Sequence, residues 1–146
     1  MKARKTAAVL GLVFTGLLLM YAGIAKSANP SSFLFVLEEY QLNWPLGYIH
    51  LVAAILPVVE IVLGLLILGN LVFRRRYYRL LTLGAGVGLL TVFLVVMVWA
   101  LAHRDIFGCG CFGGLYGHLS VWDVLRDALF ILLALAGFLD LPANAA

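Results

Sequence analysis

Four long apolar runs constrain the fold of this chain more than any other feature of its sequence. They cover residues 7–25, 49–69, 80–102 and 124–139. A helix of about 20 apolar residues crosses the hydrocarbon core of a bilayer, whereas a membrane β-barrel would show alternating apolarity. Only 12% of the 146 residues are charged, against about 25% in soluble domains. The sequence therefore predicts an all-α membrane protein, a single domain forming a four-transmembrane-helix bundle in contact with membrane lipid.

The basic residues indicate how this bundle is oriented. Seven of the ten cluster before the first run and between the second and third runs, at Lys2, Arg4, Lys5, Arg74, Arg75, Arg76 and Arg79. Because short cytoplasmic segments are enriched in Lys and Arg, we expect both termini inside (N-in/C-in). The 26–48 and 103–123 segments then face the periplasm across the inner (plasma) membrane. The first run is longer than the about 7–15 apolar residues of a signal peptide, so we expect a retained helix. Basic residues in two clusters, with a net charge of only +3, indicate no nucleic-acid partner.

The segment between the first two runs predicts a short additional helix. Asn29-Pro30-Ser31-Ser32 is typical of a helix start. Apolar residues then recur with helical spacing at Phe33, Val36, Leu37 and Tyr40. We expect a short amphipathic helix on the outer side, which lies on the membrane surface or caps the bundle.

The two cysteines of the chain, Cys109 and Cys111, are separated by Gly110 in a glycine-rich segment. A bond between them needs a sharp backbone bend, which glycine permits. So small a ring is expected to be strained and therefore exchangeable. It also restricts the unfolded chain too little to act as a structural staple. In an oxidising compartment such as the periplasm, this pattern predicts a redox-active thiol–disulfide pair.

Two other interpretations of the cysteines stay open. Cys109 and Cys111 with His103 and His118 form a set of ligands that suits Zn²⁺ or copper, and all four lie in one predicted outer segment. Alternatively, both cysteines are inert small residues in a turn.

Ionisable residues within or beside the apolar runs are candidate supporting residues. Glu60 lies near the predicted bilayer midplane, where the sequence shows no partner for it. It is either a functional acid, which carries a proton or faces a quinone, or a structural group that hydrogen-bonds to a neighbouring helix. Lys26 and Arg126 are expected at the outer end, level with the cysteines. At that level, a cation can stabilise the thiolate form of a nearby cysteine. Alternatively, its side chain only reaches from the apolar layer to the membrane–water interface. Arg126 has the helical spacing to pair with Asp123, and Asp127 shares the face of Asp123.

Several of these fragments occur in an order that is typical of one family. They are Gly23-Ile24-Ala25-Lys26, Pro30, Phe33, Tyr40-Gln41-Leu42, Leu56-Pro57, Glu60, Gly64, Cys109-Gly110-Cys111-Phe112-Gly113 and Arg126-Asp127. With this set, the chain resembles the methylamine-utilisation protein MauE family, within the wider DoxX-like group of four-helix membrane proteins. The cysteine fragment, which includes Phe112, is its most specific part.

The resemblance implies a role in disulfide handling in the cell envelope, since MauE is implicated in maturing a disulfide-rich periplasmic dehydrogenase subunit. The four-helix arrangement also resembles that of vitamin K epoxide reductase and related quinone-linked disulfide formers, which makes a quinone the candidate cofactor. The expected partner is a periplasmic thioredoxin-like protein or a disulfide-containing client. Because there is no second cysteine pair, electrons must pass directly to a quinone or to another protein. A non-catalytic membrane assembly or scaffold factor is the alternative without enzymatic activity.

Overall fold

A computed structural model describes residues 2–39, 45–73, 75–103 and 121–138 of the chain. Every regular element in these ranges is a helix: α1 (Lys2–Ala28), α2 (Pro30–Glu39), α3 (Leu46–Gly69), α4 (Arg76–His103) and α5 (Val121–Ala136). The predicted all-α class is confirmed for this part of the chain.

Three of these helices contain segments that are long and apolar enough to cross a membrane. The segments are Lys5–Ala28, Leu46–Gly69 and Arg76–Ala102. The fourth apolar run forms α5, whose 16 residues fall just short of the about 17–25 that usually span a bilayer. The chain is therefore a multi-pass helical membrane protein, while the fourth span and the N-in/C-in orientation stay predictions.

The helices differ from the apolar runs mainly at their ends. α1 extends to Ala28, α3 begins at Leu46, and α4 covers Arg76–His103, so all three are longer than predicted. Backbone hydrogen bonding continues through terminal polar residues because their long side chains can extend out of the apolar layer. α5 is shifted towards the N-terminus, since it begins at Val121 and ends at Ala136, where Gly137 follows as a residue type favoured at helix ends.

α1 is the central helix and packs against each of the other four. Its apolar residues meet those of α3, α4 and α5 in a core cluster formed by Leu12, Leu19, Ile67, Leu83, Leu90 and Ala134. The first apolar run thus supplies the middle of the packed bundle.

Glycines allow α1 and α3 to approach each other closely. A Cβ atom at Gly23 would lie 2.6 Å from the Pro57 carbonyl oxygen, and one at Gly64 would lie 2.6 Å from the Gly16 carbonyl oxygen. Real Cβ atoms do not come so near to backbone oxygen, so any larger residue would push the helices apart. These contacts fix which residues of α1 and α3 face each other.

The glycines of α4 behave differently from the expectation of their spacing. Gly84 and Gly88 form a small-xxx-small pair, which predicts close helix approach, either within the bundle or between two copies of the chain. In the structure, Cβ atoms added at either position would meet nothing within 4 Å, whereas one at Gly86 would lie 2.8 Å from Ile67 Cδ1. The prediction is wrong within the described bundle, because α4 is rotated so that Gly86, between the pair, faces α3.

α2 is the short helix predicted between the first two apolar runs. Phe33 and Val36 are almost fully buried, and α2 packs mainly against α3. Glu38 is exposed, as expected for the polar side of an amphipathic helix. The buried face of α2 therefore contacts protein.

A polar network holds the connection between α3 and α4. The Asn70 side-chain amide donates hydrogen bonds to the Ile67 carbonyl at 3.0 Å and to Thr82 Oγ1 at 2.8 Å. The Tyr78 hydroxyl donates to the Leu66 carbonyl at 3.0 Å. These bonds add acceptor contacts for carbonyl groups in the last turn of α3 and tie it to the first turns of α4.

Candidate functional site

The most polar feature inside the bundle is an ion pair between α1 and α3. Lys26 Nζ lies 2.5 Å from Glu60 Oε1, and each side chain is only 1% exposed. Lys26 sits two residues before the end of α1, whereas Glu60 lies near the middle of α3. They meet because α3 extends well beyond the end of α1, in the alignment set by the contact of Gly23 with Pro57.

Aromatic rings complete the surroundings of the Lys26 ammonium group. The Phe33 ring centroid of α2 lies 5.5 Å from Nζ, and that of Phe93 of α4 lies 4.9 Å away. Both distances fall within the about 6 Å of a cation–π interaction. Lys26, which belongs to α1, therefore contacts three other helices: α3 through the Glu60 carboxylate, α2 through the Phe33 ring and α4 through the Phe93 ring.

A second group of charges lies on α5. Arg126 Nη1 is 3.1 Å from Asp123 Oδ1, and Arg126 Nη2 is 3.7 Å from Asp127 Oδ1. Asp127 is 4% exposed, whereas the Arg126 and Asp123 side chains are 33% and 25% exposed. The pairing of Arg126 with Asp123, predicted from their spacing, is confirmed.

A small cavity connects the two groups of charges. Lys26, Glu60 and Asp127 line it together with Phe93 and Phe130. Lys26 is near enough to interact electrostatically with Asp127. The cavity offers about 20 Å³ to the centres of water molecules, which is room for about one water. Ionisable residues from α1, α3 and α5 thus line one small cavity.

The structure brings together four of the residues that the sequence singled out, namely Lys26, Glu60, Arg126 and Asp127. The sequence showed no partner for Glu60 at its predicted depth, and the structure supplies one, because the offset of α3 against α1 places Lys26 beside it. The sequence placed Lys26 at the outer end of the bundle, level with the cysteines. In the structure, its amine points into the bundle, towards a carboxylate and two rings.

The residues predicted to carry the chemistry lie outside the described part of the chain. They are Cys109, Gly110, Cys111, Phe112 and His118. His103 is the last residue of α4, and its side chain is likewise outside the described residues. Within the described ranges, no group of three or more His, Cys, Asp or Glu side chains could hold a metal ion. The Cys and His side chains considered as ligands for Zn²⁺ or copper lie outside these ranges, so that interpretation stays a prediction.

Sequence reasoning missed the part played by Phe93. An aromatic residue in an apolar run carries no local signal that it faces a cation, because most such residues are core or lipid-facing. The pairing of Lys26 with Glu60 had a weaker signal, since an acid in the middle of an apolar helix requires a neutralising partner.

The fold and the charges inside it define a multi-pass α-helical membrane protein with a buried ionic site. Residues 4–140 match the family model described as Methylamine utilisation protein MauE, and the chain belongs to that family. The wider grouping with DoxX-like proteins stays a prediction. No curated protein and no solved structure matches the chain.

Proposed function

We propose that this MauE-family protein is a membrane thiol–disulfide redox protein that acts in disulfide formation or maturation of envelope proteins. Cys109 and Cys111 are its catalytic pair, and Gly110 allows the bend between them. The observation that carries the proposal is that the two cysteines of the whole chain are one residue apart. They occupy the segment joining α4 to α5, whose helices contribute to the buried ionic site.

The proposed reaction is thiol–disulfide exchange with a periplasmic thioredoxin-like protein or a disulfide-containing client. A thiolate of one protein attacks a disulfide sulfur of the other and displaces its second sulfur as a thiolate, which leaves a mixed disulfide. The remaining cysteine thiolate of the reduced protein then attacks the mixed disulfide. Two thiols become one disulfide while the other disulfide becomes two thiols, so atoms and electrons balance.

The geometry of α4 and α5 supports a functional link between the cysteine segment and the charges. α4 passes Phe93 beside Lys26 and continues for ten residues to His103. α5 begins at Val121, six residues or about 9 Å before Asp127. The two ends of the cysteine segment, at the end of α4 and the start of α5, therefore lie at the same end of the bundle as the end of α1.

The proposal includes a topology. α1, α3, α4 and α5 form the four spans of a single domain with both termini in the cytoplasm. The cysteine segment then faces the periplasm from the inner membrane. The basic residues between α3 and α4 support this orientation, because Arg75 and Arg76 are exposed and cytoplasmic segments concentrate such charges.

A quinone is the proposed membrane acceptor or donor of the two electrons. Phe93 and Phe130 flank the cavity, and Lys26 and Glu60 lie at its polar side, where a quinone oxygen would find a proton. The described cavity has room for about one water, so a quinone ring requires these aromatic side chains to move. Full exchange turnover by purified protein shown to contain no quinone would refute this part of the proposal.

The first experiment is a redox titration of the purified protein in glutathione buffers, with trapping of free thiols. We expect one reversible two-electron transition between a dithiol and a disulfide, within the range of envelope redox proteins. The matched control is the Cys109→Ser, Cys111→Ser double variant, which should show no transition. Thiols that never pair under oxidising buffer contradict the proposal.

Two further results would direct the assignment elsewhere. Full cellular function of the Cys109→Ser, Cys111→Ser variant would favour the scaffold or assembly factor. Stoichiometric Zn²⁺ or Cu⁺ that is lost in that variant would favour metal binding or transfer.

Arg126 is the proposed cation that favours the reactive thiolate, because its side chain is 33% exposed near the start of α5, whereas that of Lys26 is 1% exposed inside the bundle. We expect Arg126→Met to shift the pH profile of cysteine alkylation to higher pH, because a nearby positive charge stabilises the thiolate. Each unit of that shift lowers the thiolate fraction at neutral pH about tenfold. Arg126→Lys, which keeps the charge, should lie close to the wild type. An alkylation profile that Arg126→Met leaves unchanged would exclude this role.

A further inference from the structure

One oxygen of the buried Glu60 carboxyl group lacks a partner. Oε1 accepts a hydrogen bond from Lys26 Nζ, whereas Oε2 is fully buried and has no hydrogen-bond partner among the described residues. An unsatisfied carboxylate oxygen in an apolar interior is costly. The atom therefore indicates that something else belongs beside it.

The cavity beside Glu60 has room for one water molecule, and three of the residues that line it are ionisable. Its volume suits one water, and a buried water needs two to four polar partners. The two acids among its described lining residues are Glu60 and Asp127, and Lys26 donates to Glu60 Oε1 through one of its three N–H groups. A chloride ion or another anion would be repelled by the two acids.

The charges around the cavity do not balance when every group is ionised. Lys26 and Arg126 contribute two positive charges, whereas Glu60, Asp127 and Asp123 contribute three negative ones. Among the described residues that line the cavity, those from α4 are apolar, namely Leu90 and Phe93. Because an unpaired charge is strongly disfavoured in so apolar a place, one bound proton makes the cluster neutral.

We propose that the cavity holds one water molecule that bridges Glu60 Oε2 and the Asp127 carboxyl group, and that the two acids share a single proton through it. When the proton moves, one carboxyl group releases it to the water, and the water gives another of its protons to the second carboxylate. The number of protons is unchanged, and no bond other than O–H bonds is broken. The inference stands on the described geometry and is independent of the redox function proposed for the cysteines.

The same cluster provides a route for this proton out of the bundle. Exposure rises from Glu60 at 1% and Asp127 at 4% to Asp123, whose side chain is 25% exposed. Arg126 contacts both aspartates, so the three side chains form one continuous polar group along the start of α5. The site can therefore exchange its proton with water at the α5 end of the bundle.

Infrared spectroscopy of the full chain in lipid nanodiscs tests this proposal. We expect the C=O stretch of one protonated carboxyl group per chain at neutral pH, with a downshift when D₂O replaces H₂O. Asp127→Asn should remove this band or shift it. Asp123→Asn also removes one negative charge from the cluster and should weaken the band, whereas Glu38→Gln, at an exposed position on α2, is the matched control that should retain it. Circular dichroism and size-exclusion chromatography establish that each variant is folded.

A second variant tests the charge balance itself. Lys26→Met removes the cation that pairs with Glu60, so the C=O band should rise to two protonated carboxyl groups per chain if the variant folds. If Lys26→Met does not fold, the result for Asp127→Asn decides the proposal. A wild-type protein without a protonated carboxyl band, a band that Asp127→Asn leaves unchanged, or a band that never exchanges with D₂O would overturn the inference.

Discussion

Removing one member of the Lys26–Glu60 pair is expected to lower the free energy of unfolding by about 3–5 kcal/mol. Both side chains are 1% exposed. Glu60→Gln therefore leaves an ammonium group without its counter-charge in an apolar interior, and Lys26→Met leaves a buried carboxyl group that must take up a proton at a cost. Lys26→Met additionally loses the contacts of the ammonium group with the Phe33 and Phe93 rings. Thermal or SDS-induced unfolding in micelles, followed by circular dichroism, measures the change.

The double variant Lys26→Met, Glu60→Met distinguishes a pairing effect from two separate losses. Removing both charges together leaves no unpaired group, so the double variant should be considerably more stable than the sum of the single changes predicts. Glu38→Gln, at an exposed position on α2, is the control and should be near neutral. Additive single effects would show that Lys26 and Glu60 do not interact in the folded protein.

Adding one methyl group at Gly23 is expected to destabilise the protein by about 1–3 kcal/mol, although alanine is the better helix former. The new Cβ would lie 2.6 Å from the Pro57 carbonyl oxygen and 2.7 Å from Ile61 Cγ1. Neither the α3 backbone nor the branched Ile61 side chain can withdraw without moving α3 away from α1. The same movement would lengthen the contact between Lys26 and Glu60.

Gly84→Ala and Gly88→Ala are matched controls within the same protein, because none of the residues that the structure describes has an atom within 4 Å of a Cβ at either position. Only the gain in helix propensity acts there, so these variants should be as stable as the wild type or up to about 1 kcal/mol more stable. Parallel unfolding curves for the three variants make the comparison. If Gly23→Ala proved as stable as Gly84→Ala, the close contact of α1 with α3 would be refuted.

Features within one helix could be predicted from the sequence. The apolar runs located α1, α3, α4 and α5, because the need to keep apolar side chains and backbone amides away from water acts on each segment separately. Helical spacing likewise predicted the pair of Arg126 and Asp123, since residues three apart on a helix are neighbours whatever surrounds them. The resemblance to the MauE family could also be seen in the sequence, because it depends only on the order of short fragments along the chain.

Features between helices could not be predicted in this way. Lys26 and Glu60 are 34 residues apart in the chain, and counting residues placed them at different depths. Their contact depends on how far α3 is displaced along α1, which the close approach of Gly23 to Pro57 decides. The same limit applies to Gly84 and Gly88, whose spacing permits close packing without saying which side of α4 faces a neighbour.

The sequence by itself determined that this protein is a helical membrane protein of the MauE family, and it singled out the cysteines, Lys26, Glu60, Arg126 and Asp127. Hydrophobicity and helical periodicity are local properties, so they can be evaluated along the chain. Only the tertiary structure decided that the charges of α1, α3 and α5 meet around one cavity, with Phe33 and Phe93 against the ammonium group. The rotation and displacement of packed helices arise from the fit of many side chains at once, which no single segment encodes.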